Sequence, residues 1–295
     1  MNKVSFNNQE RYFFKAIPAL VWQFVFLGIP FILLLMLSFV KDSNKAWTFE
    51  NFTLDNYTQL FHSEYAIIIM RSFLVAVLTA LLCLLIGYPL TYYIALKKRK
   101  WKNFFLFFLV LPFVTNLLVL TYAWTFVLDK DGLLNQLLLK VGIISEPILM
   151  LNSYFAIMLV MFYCYLPFMI MPLFTSLEKF DLTLIEASRD LGANLLQTFF
   201  KVILPLTLPA IQTGVLLVFV PAFGEFVIPL LMGGDKYMFV GSLISHFFLI
   251  GQDRLLGASF TIFSSFLLFC CVLFFIAFFS KKKISKQRNY DGEIS

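Results

Sequence analysis

The feature that most constrains this chain is a series of nearly uncharged apolar runs, each about twenty residues or longer. They cover Ile17 to Phe39, Ser72 to Leu96, Phe104 to Leu128, Ser153 to Leu177, Pro209 to Met232 and Leu255 to Phe279. At about 1.5 Å per residue, a helix of some twenty residues matches a hydrocarbon core of about 30 Å. Lipid offers the backbone no hydrogen bonds, so a spanning segment must satisfy its own N–H and C=O groups as a helix. Only 14% of the 295 residues are charged and 60% are hydrophobic, against about a quarter charged in a soluble domain. No stretch outside the runs is long enough to bury a soluble core. The expected fold is all-α and polytopic: six transmembrane helices forming one membrane domain over 17–279, with a segment at 1–16 and a basic tail at 280–295.

Local signals refine these spans. Gly87-Tyr88-Pro89 predicts a kink in span 2, Pro112 lies inside span 3, and Pro167 and Pro172 are expected to break the lower half of span 4. Polar loops fall at Lys41–Glu64, Asp129–Asn152 and Gly233–Arg254, and Leu133–Val141 reads as a short interfacial helix. No small-residue cleavage site follows the first run, so it is expected to stay as an anchor.

Charge placement orients the chain. Sixteen of the 23 Lys and Arg residues fall in the N-terminal segment, the 97–102 loop, the 178–208 loop and the tail. Those regions hold seven acids, for a balance of +9; the opposite side carries seven basic residues and ten acids, for −3. The positive-inside rule then puts both termini and the 178–208 loop in the cytoplasm. The overall charge of +6 reflects this asymmetry and not a nucleic-acid partner.

Between spans 4 and 5 lies EASRDLGANLLQTFFKVILPLTLP, Glu186 to Pro209, in which charged and amide side chains recur among apolar ones. It predicts two short helices joined by a turn over about 181–205. Thr183 and Glu186 form a T-x-x-E capping box, with Asp181 a rival N-cap. Gly192 suits a left-handed helix end. Asn194 and Gln197 offer a second start, and Pro205 is expected to stop that helix after Leu204. A compact polar hairpin between two membrane spans calls for a partner protein.

Chemical motifs are sparse. No G-x-x-x-x-G-K-[ST] loop occurs, so the sequence offers no recognisable way to bind ATP itself. Neither H-E-x-x-H nor G-x-S-x-G is present, and His62 and His246 are isolated. The four cysteines, Cys83, Cys164, Cys270 and Cys271, all sit in apolar spans and read as small buried hydrophobes. Neither a catalytic site, a metal site nor a bound cofactor is expected. Glu225 is the one acid well inside a span, about 24 Å above Pro209 at 1.5 Å per residue, in the outer half of the membrane. A carboxylate there either lines a cavity or is neutralised by hydrogen bonds or proximity to the outer interface. Phe223 and Phe226 beside it would suit an organic cation. Three classes fit: a transporter subunit driven by a separate soluble motor, a self-sufficient secondary transporter or channel, and a membrane enzyme. The missing motifs disfavour the last, and the lack of a clear internal repeat disfavours the second.

The hairpin resembles the E-A-A-x3-G-x9-I-x-L-P motif in the membrane subunits of bacterial ABC importers. Glu186-Ala187-Ser188, Gly192, Val202 and Leu204-Pro205 occupy the motif positions, with Ser188 for the second Ala and Val202 for the Ile. LDNYTQLF (54–61), LPFVTNLLVLTYAW (111–124), YLPFMIMPLFTSLEKFD (165–181) and GEFVIPLLMGG (224–234) extend the resemblance to the B-type permeases of spermidine/putrescine importers. The resemblance implies a type I importer (MetI-like) permease fold in the bacterial inner membrane. It implies a coupling helix at Glu186, Ala187, Ser188, Gly192, Leu204 and Pro205 that docks on an ATPase subunit. Glu225, Phe223, Phe226, Tyr122 and Trp124 would then line the substrate pathway.

Implied partners are a second permease, a dimer of ATP-binding subunits that carries the ATP and magnesium, an external polyamine-binding protein (periplasmic or lipid-anchored), and membrane lipid. Import would proceed by alternating access. Departures are Leu230 where relatives often carry an acid, Leu120 where they carry Arg, Val114 where they carry Trp, and Asp253-Arg254-Leu255 in place of Asp-Trp-Pro. Iron, thiamine and phosphate importers are the alternative substrate classes.

Overall fold

The computed structural model describes residues 17–41, 51–95, 99–251 and 253–292. The N-terminal segment 1–16 expected from sequence lies outside them, as do the side chains of the 280–295 tail. The described residues form helices α1 (Ile17–Ser38), α2 (Asp55–Gln59), α3 (Ser63–Ala95), α4 (Arg99–Val114), α5 (Leu117–Leu128) and α6 (Leu133–Lys140). There follow α7 (Tyr154–Glu178), α8 (Thr183–Asp190), α9 (Leu195–Phe223), α10 (Val227–Gly233), α11 (Val240–Ile250) and α12 (Arg254–Gly292). Five of them, α1, α3, α7, α9 and α12, are long and apolar enough to cross a membrane.

Several boundaries differ from the sequence expectation. Span 3 is not one helix: α4 ends at Val114, and Asn116 caps α5 by accepting from Leu118 N (2.9 Å) and Val119 N (3.4 Å). A Thr-Asn pair inside an apolar run is an N-cap signal that hydropathy averages away. Span 2 starts earlier, at Ser63. The prolines of span 4 do not break it, since α7 runs continuously through Pro167 and Pro172. Nor does Pro205 stop a helix. The chain stays helical from Leu195 to Phe223, with a widened turn at Phe199–Ile203 in which Leu204 N–H reaches Phe199 O. That π-type turn just ahead of the ring relieves the clash that proline brings to a regular helix. The same device precedes Pro30, where Phe24–Gly28 is widened and Ile29 N–H bonds Phe24 O.

The chain divides into two compact units. In the unit formed by 1–63 and 246–270, the end of α1 is clasped by the following loop. Ser38 is fully buried, its Oγ lies 2.7 Å from the Tyr57 hydroxyl, and Asn56 Nδ2 donates to Ser38 O (3.3 Å) and Val40 O (2.9 Å). Ser259 Oγ of α12 donates to the same Ser38 carbonyl at 2.8 Å. The LDNYTQLF segment therefore carries the clasp. These bonds satisfy a helix C-terminus whose carbonyls have no partner further along the chain.

The unit formed by 64–245 and 271–295 is built around α7. Met169 is fully buried, and a methyl on Gly214 of α9 would lie 2.7 Å from its Sδ. One on Gly87 of α3 would lie 3.4 Å from its Cγ. Two glycines thus let three helices close on one flexible thioether, which fills irregular gaps well. Tyr88 Oη pairs with Thr207 Oγ1 at 2.9 Å and ties α3 to α9 in the same layer. Ile94, Ile170 and Phe174 make a further cluster beneath Phe105 and Leu109 of α4. Lys102 closes that cluster with an ion pair to Glu178 (3.2 Å) and a seat over the Phe174 ring. The interfacial helix is present as α6, and buried Asn135 stitches it to the loop through Asp129 O, Ile148 O and Ile148 N. Cys83 and Cys164 are buried as expected; Cys270 is exposed and Cys271 half-buried, because α12 turns that face outward.

Candidate functional site

The 181–205 hairpin forms as two helices. Its first start is won by Asp181 and not by a Thr183–Glu186 box. Thr183 donates both its backbone N–H (3.0 Å) and its hydroxyl (2.8 Å) to Asp181 Oδ1. These bonds, the backbone one foremost, hold the Asp181 carboxyl below its ordinary range. The box does not form because Thr183 is already the first helical residue and Leu182 stands at the N-cap. The end of α8 is a Schellman motif: Gly192 has φ +82°, Gly192 N–H bonds Arg189 O and Ala193 N–H bonds Ser188 O. Asn194 and Gln197 then form the reciprocal capping box of α9.

Ser188 also reaches across the pair. Its Oγ lies 2.9 Å from Thr198 Oγ1, and Thr198 is buried. Leu204 and Pro205 are half-buried in the continuing helix, while Glu186 and Ala187 are exposed. At the tip, Leu191 is 89% exposed, Leu195 70% and Leu196 69%. Leu195 and Leu196 share a shallow groove with Arg189, Ala193 and Asn194. Three exposed leucines thus sit together at the tip of a charged hairpin.

The second assembly is an elbow where α9 ends. The helix runs through Pro221 and ends at Phe223 with Gly224 as its C-cap, and α10 begins only at Val227. Glu225 fills the gap and is buried, 8% exposed. Its Oε1 accepts from Phe226 N (3.1 Å), Val227 N (2.9 Å) and Ile228 N (3.5 Å). Its Oε2 accepts the Tyr165 hydroxyl of α7 at 2.6 Å. The carboxyl meets the free N–H groups of a helix start, where the peptide dipoles favour negative charge. From behind, α11 seals the elbow: a methyl on Gly241 would overlap the Gly224 carbonyl oxygen and lie 2.9 Å from Glu225 O. A methyl on Gly224 would meet nothing within 4 Å.

Around this elbow the sequence-predicted residues take different positions. Phe226 is 42% exposed beside the carboxylate. Phe223 is buried against Phe219 and lies under the elbow. Tyr122 and Trp124 stand on α5, which packs against α10 and α7. Tyr122 is exposed, while the Trp124 ring meets Tyr163 of α7 edge-on at 5.3 Å. Leu230 is exposed one turn after Phe226 on α10. Tyr165 was missed as a site residue. It lies 60 positions from Glu225, and no local pattern announces so distant a partner.

Hairpin and elbow are two stations on one helix pair, for α7 leads into the hairpin and α9 leads out of it. The family model for inner membrane components of binding-protein-dependent transport systems matches residues 85–286, which include both. The chain belongs to that family. The permease is 39% identical over 267 residues to the spermidine/putrescine transport system permease protein PotB of Haemophilus influenzae, covering 90% of this chain and 92% of that protein. To its namesake in Escherichia coli it is 40% identical over 238 residues, 81% of this chain and 86% of the relative. In fold the permease also matches a chain of a bacterial alginate ABC transporter, solved in complex with a pentasaccharide-bound periplasmic protein. The TM-score is 0.72 at 17% identity, over 91% of this chain and 93% of that one. At that identity the likeness concerns fold alone.

Proposed function

We propose that this permease is one of two homologous membrane subunits of an ATP-driven importer for polyamines of the spermidine/putrescine class. The observation that carries the substrate class is the 39% identity, over nine-tenths of both chains, to a permease named for spermidine/putrescine transport. In this reading a polyamine-binding protein outside the membrane delivers the cargo, and a pair of ATP-binding subunits in the cytoplasm supplies the energy. Those subunits hold ATP and magnesium; the permease itself performs no chemistry.

The hairpin is the docking element. Glu186 and Ala187 face outward for the motor, and the Leu191, Leu195 and Leu196 knuckle offers apolar contact. Gly192 sets the angle between the two helices, and Ser188 with Thr198 braces them. Leu204 and Pro205 pass movement into α9 because the helix does not break there. Closing of the motor on ATP shifts the hairpin. The close packing of α7 and α9 at Met169 and Gly214 carries the shift to the elbow as a rigid displacement. Phe226 and Tyr122 then face the pathway, with Trp124 and Phe223 supporting them. A carboxylate at Glu225, in a low-dielectric setting, would draw a polycation toward the elbow.

Uptake of radiolabelled spermidine and putrescine by proteoliposomes carrying the complex tests this reading. ATP-dependent accumulation of either supports it. Accumulation of iron, thiamine or phosphate, with neither polyamine taken up, would overturn the substrate class.

A further inference from the structure

The two oxygens of Glu225 are held unequally. Oε1 receives three backbone N–H groups from the chain that starts α10, a set fixed by the fold of the elbow itself. Oε2 receives a side-chain hydroxyl from another helix, Tyr165 of α7, at 2.6 Å. Oε2 thus holds one side-chain donor where Oε1 holds three fixed backbone donors, and the Tyr165 hydroxyl occupies the oxygen that a newcomer would engage. The hydroxyl is a neutral donor; a primary ammonium is a charged one and forms the stronger bond to a carboxylate. Phe226, next to the carboxylate in the chain, is 42% exposed, and a methyl on Gly224 would meet nothing within 4 Å.

We propose that Tyr165 is a positioning residue that competes with the cargo's primary ammonium group for Glu225 Oε2. This rests on the polyamine reading above. With the pathway empty, the Tyr165 hydroxyl stabilises the carboxylate and holds its rotamer. An arriving ammonium takes over Oε2, and the hydroxyl reclaims it when the cargo leaves. The exchange keeps the charge satisfied at every stage, so the elbow is never left with a bare buried carboxylate. It also keeps the site from binding too tightly to release, which a transport pathway requires. Because Tyr165 lies on α7 and Glu225 follows the end of α9, the two helices that flank the hairpin, their bond is also where a hairpin movement would be felt by the cargo.

The test is equilibrium binding of labelled spermidine to the full complex, purified through a tag on this chain, held in nanodiscs, alongside uptake kinetics in proteoliposomes. Tyr165→Phe removes the competitor and keeps the ring. Spermidine is then expected to bind about tenfold tighter, the scale of one hydrogen bond to a charged group, while maximal uptake falls as release slows. A bis-quaternary butane-1,4-diammonium, which cannot donate a hydrogen bond, should bind wild type and variant alike. In a Glu225→Gln background the tyrosine substitution should change nothing further. A purely structural tyrosine would instead lower uptake and weaken or spare binding, and that result overturns the inference alone. Absence of polyamine uptake by the wild-type complex overturns the functional reading and this inference with it. If Tyr165→Phe does not assemble, 3-fluorotyrosine at 165 is a near-isosteric, stronger donor. It should weaken spermidine binding, and unchanged or tighter binding there counts against the exchange.

Discussion

At the scale of single residues, Glu225 joins a charge to a backbone break. Its carboxyl caps the start of α10 and meets Tyr165, so a neutral replacement weakens the elbow and, on the proposed polyamine reading, removes the group that draws cargo. Glu225→Gln should cost about 1.5–3 kcal/mol at the elbow, the range for hydrogen bonds to charged groups. Polyamine uptake is expected to drop by about an order of magnitude, while the variant still co-purifies with its partner subunits. Undiminished uptake would remove Glu225 from the pathway. Asp181 is the other informative acid. Its depressed carboxyl contributes stability to the start of α8 above the ordinary aspartate value and loses it as pH falls through the lowered folded one. Amide exchange at residues 183–186 should therefore accelerate at pH below about 4. An Asp181→Asn chain should show no such acceleration.

At the scale of elements, the hairpin's geometry is held by a few backbone-determined points. Gly192 at φ +82° donates to Arg189 O, and proline can supply neither that dihedral nor that N–H. Gly192→Pro should destabilise the turn by about 2–3 kcal/mol. We expect lost co-purification of the ATPase and lost stimulation of ATP hydrolysis by the binding protein. Normal stimulation would mean that the turn is not the coupling element. The prolines teach the opposite lesson about stopping helices. Pro30 and Pro205 each follow a widened turn, and Pro167 and Pro172 lie inside an unbroken α7. In a bundle where neighbours and side chains can serve freed carbonyls, proline is a weaker stop signal than in water. Breaks occur instead where a polar side chain caps the next segment, at Asn116 and at Glu225.

For the whole molecule, the testable consequence is orientation. Single cysteines placed at Lys97 or Lys282, in a chain whose four native cysteines have been replaced, should react with a membrane-impermeant maleimide only after the cells are opened. One at Asp131 should react in intact spheroplasts. The reverse pattern would invert the assignment and place the hairpin away from any cytoplasmic motor.

Much of this protein is determined by the sequence alone, because the causes are local. Hydropathy over some twenty residues dictates helices in lipid, and Gly192 with Asn194 and Gln197 dictates a turn between two capped helices. What tertiary structure decided is what depends on distant partners. The phenol that completes Glu225 comes from 60 residues away. Tight helix crossings turn a methionine and two glycines into one layer. The start of α8 at Thr183, the widened turn ahead of Pro205 and the cap at Asn116 are local devices by contrast, which hydropathy averages away. Distant contacts are settled by which groups the packed neighbours bring within reach, and a linear pattern does not contain that information.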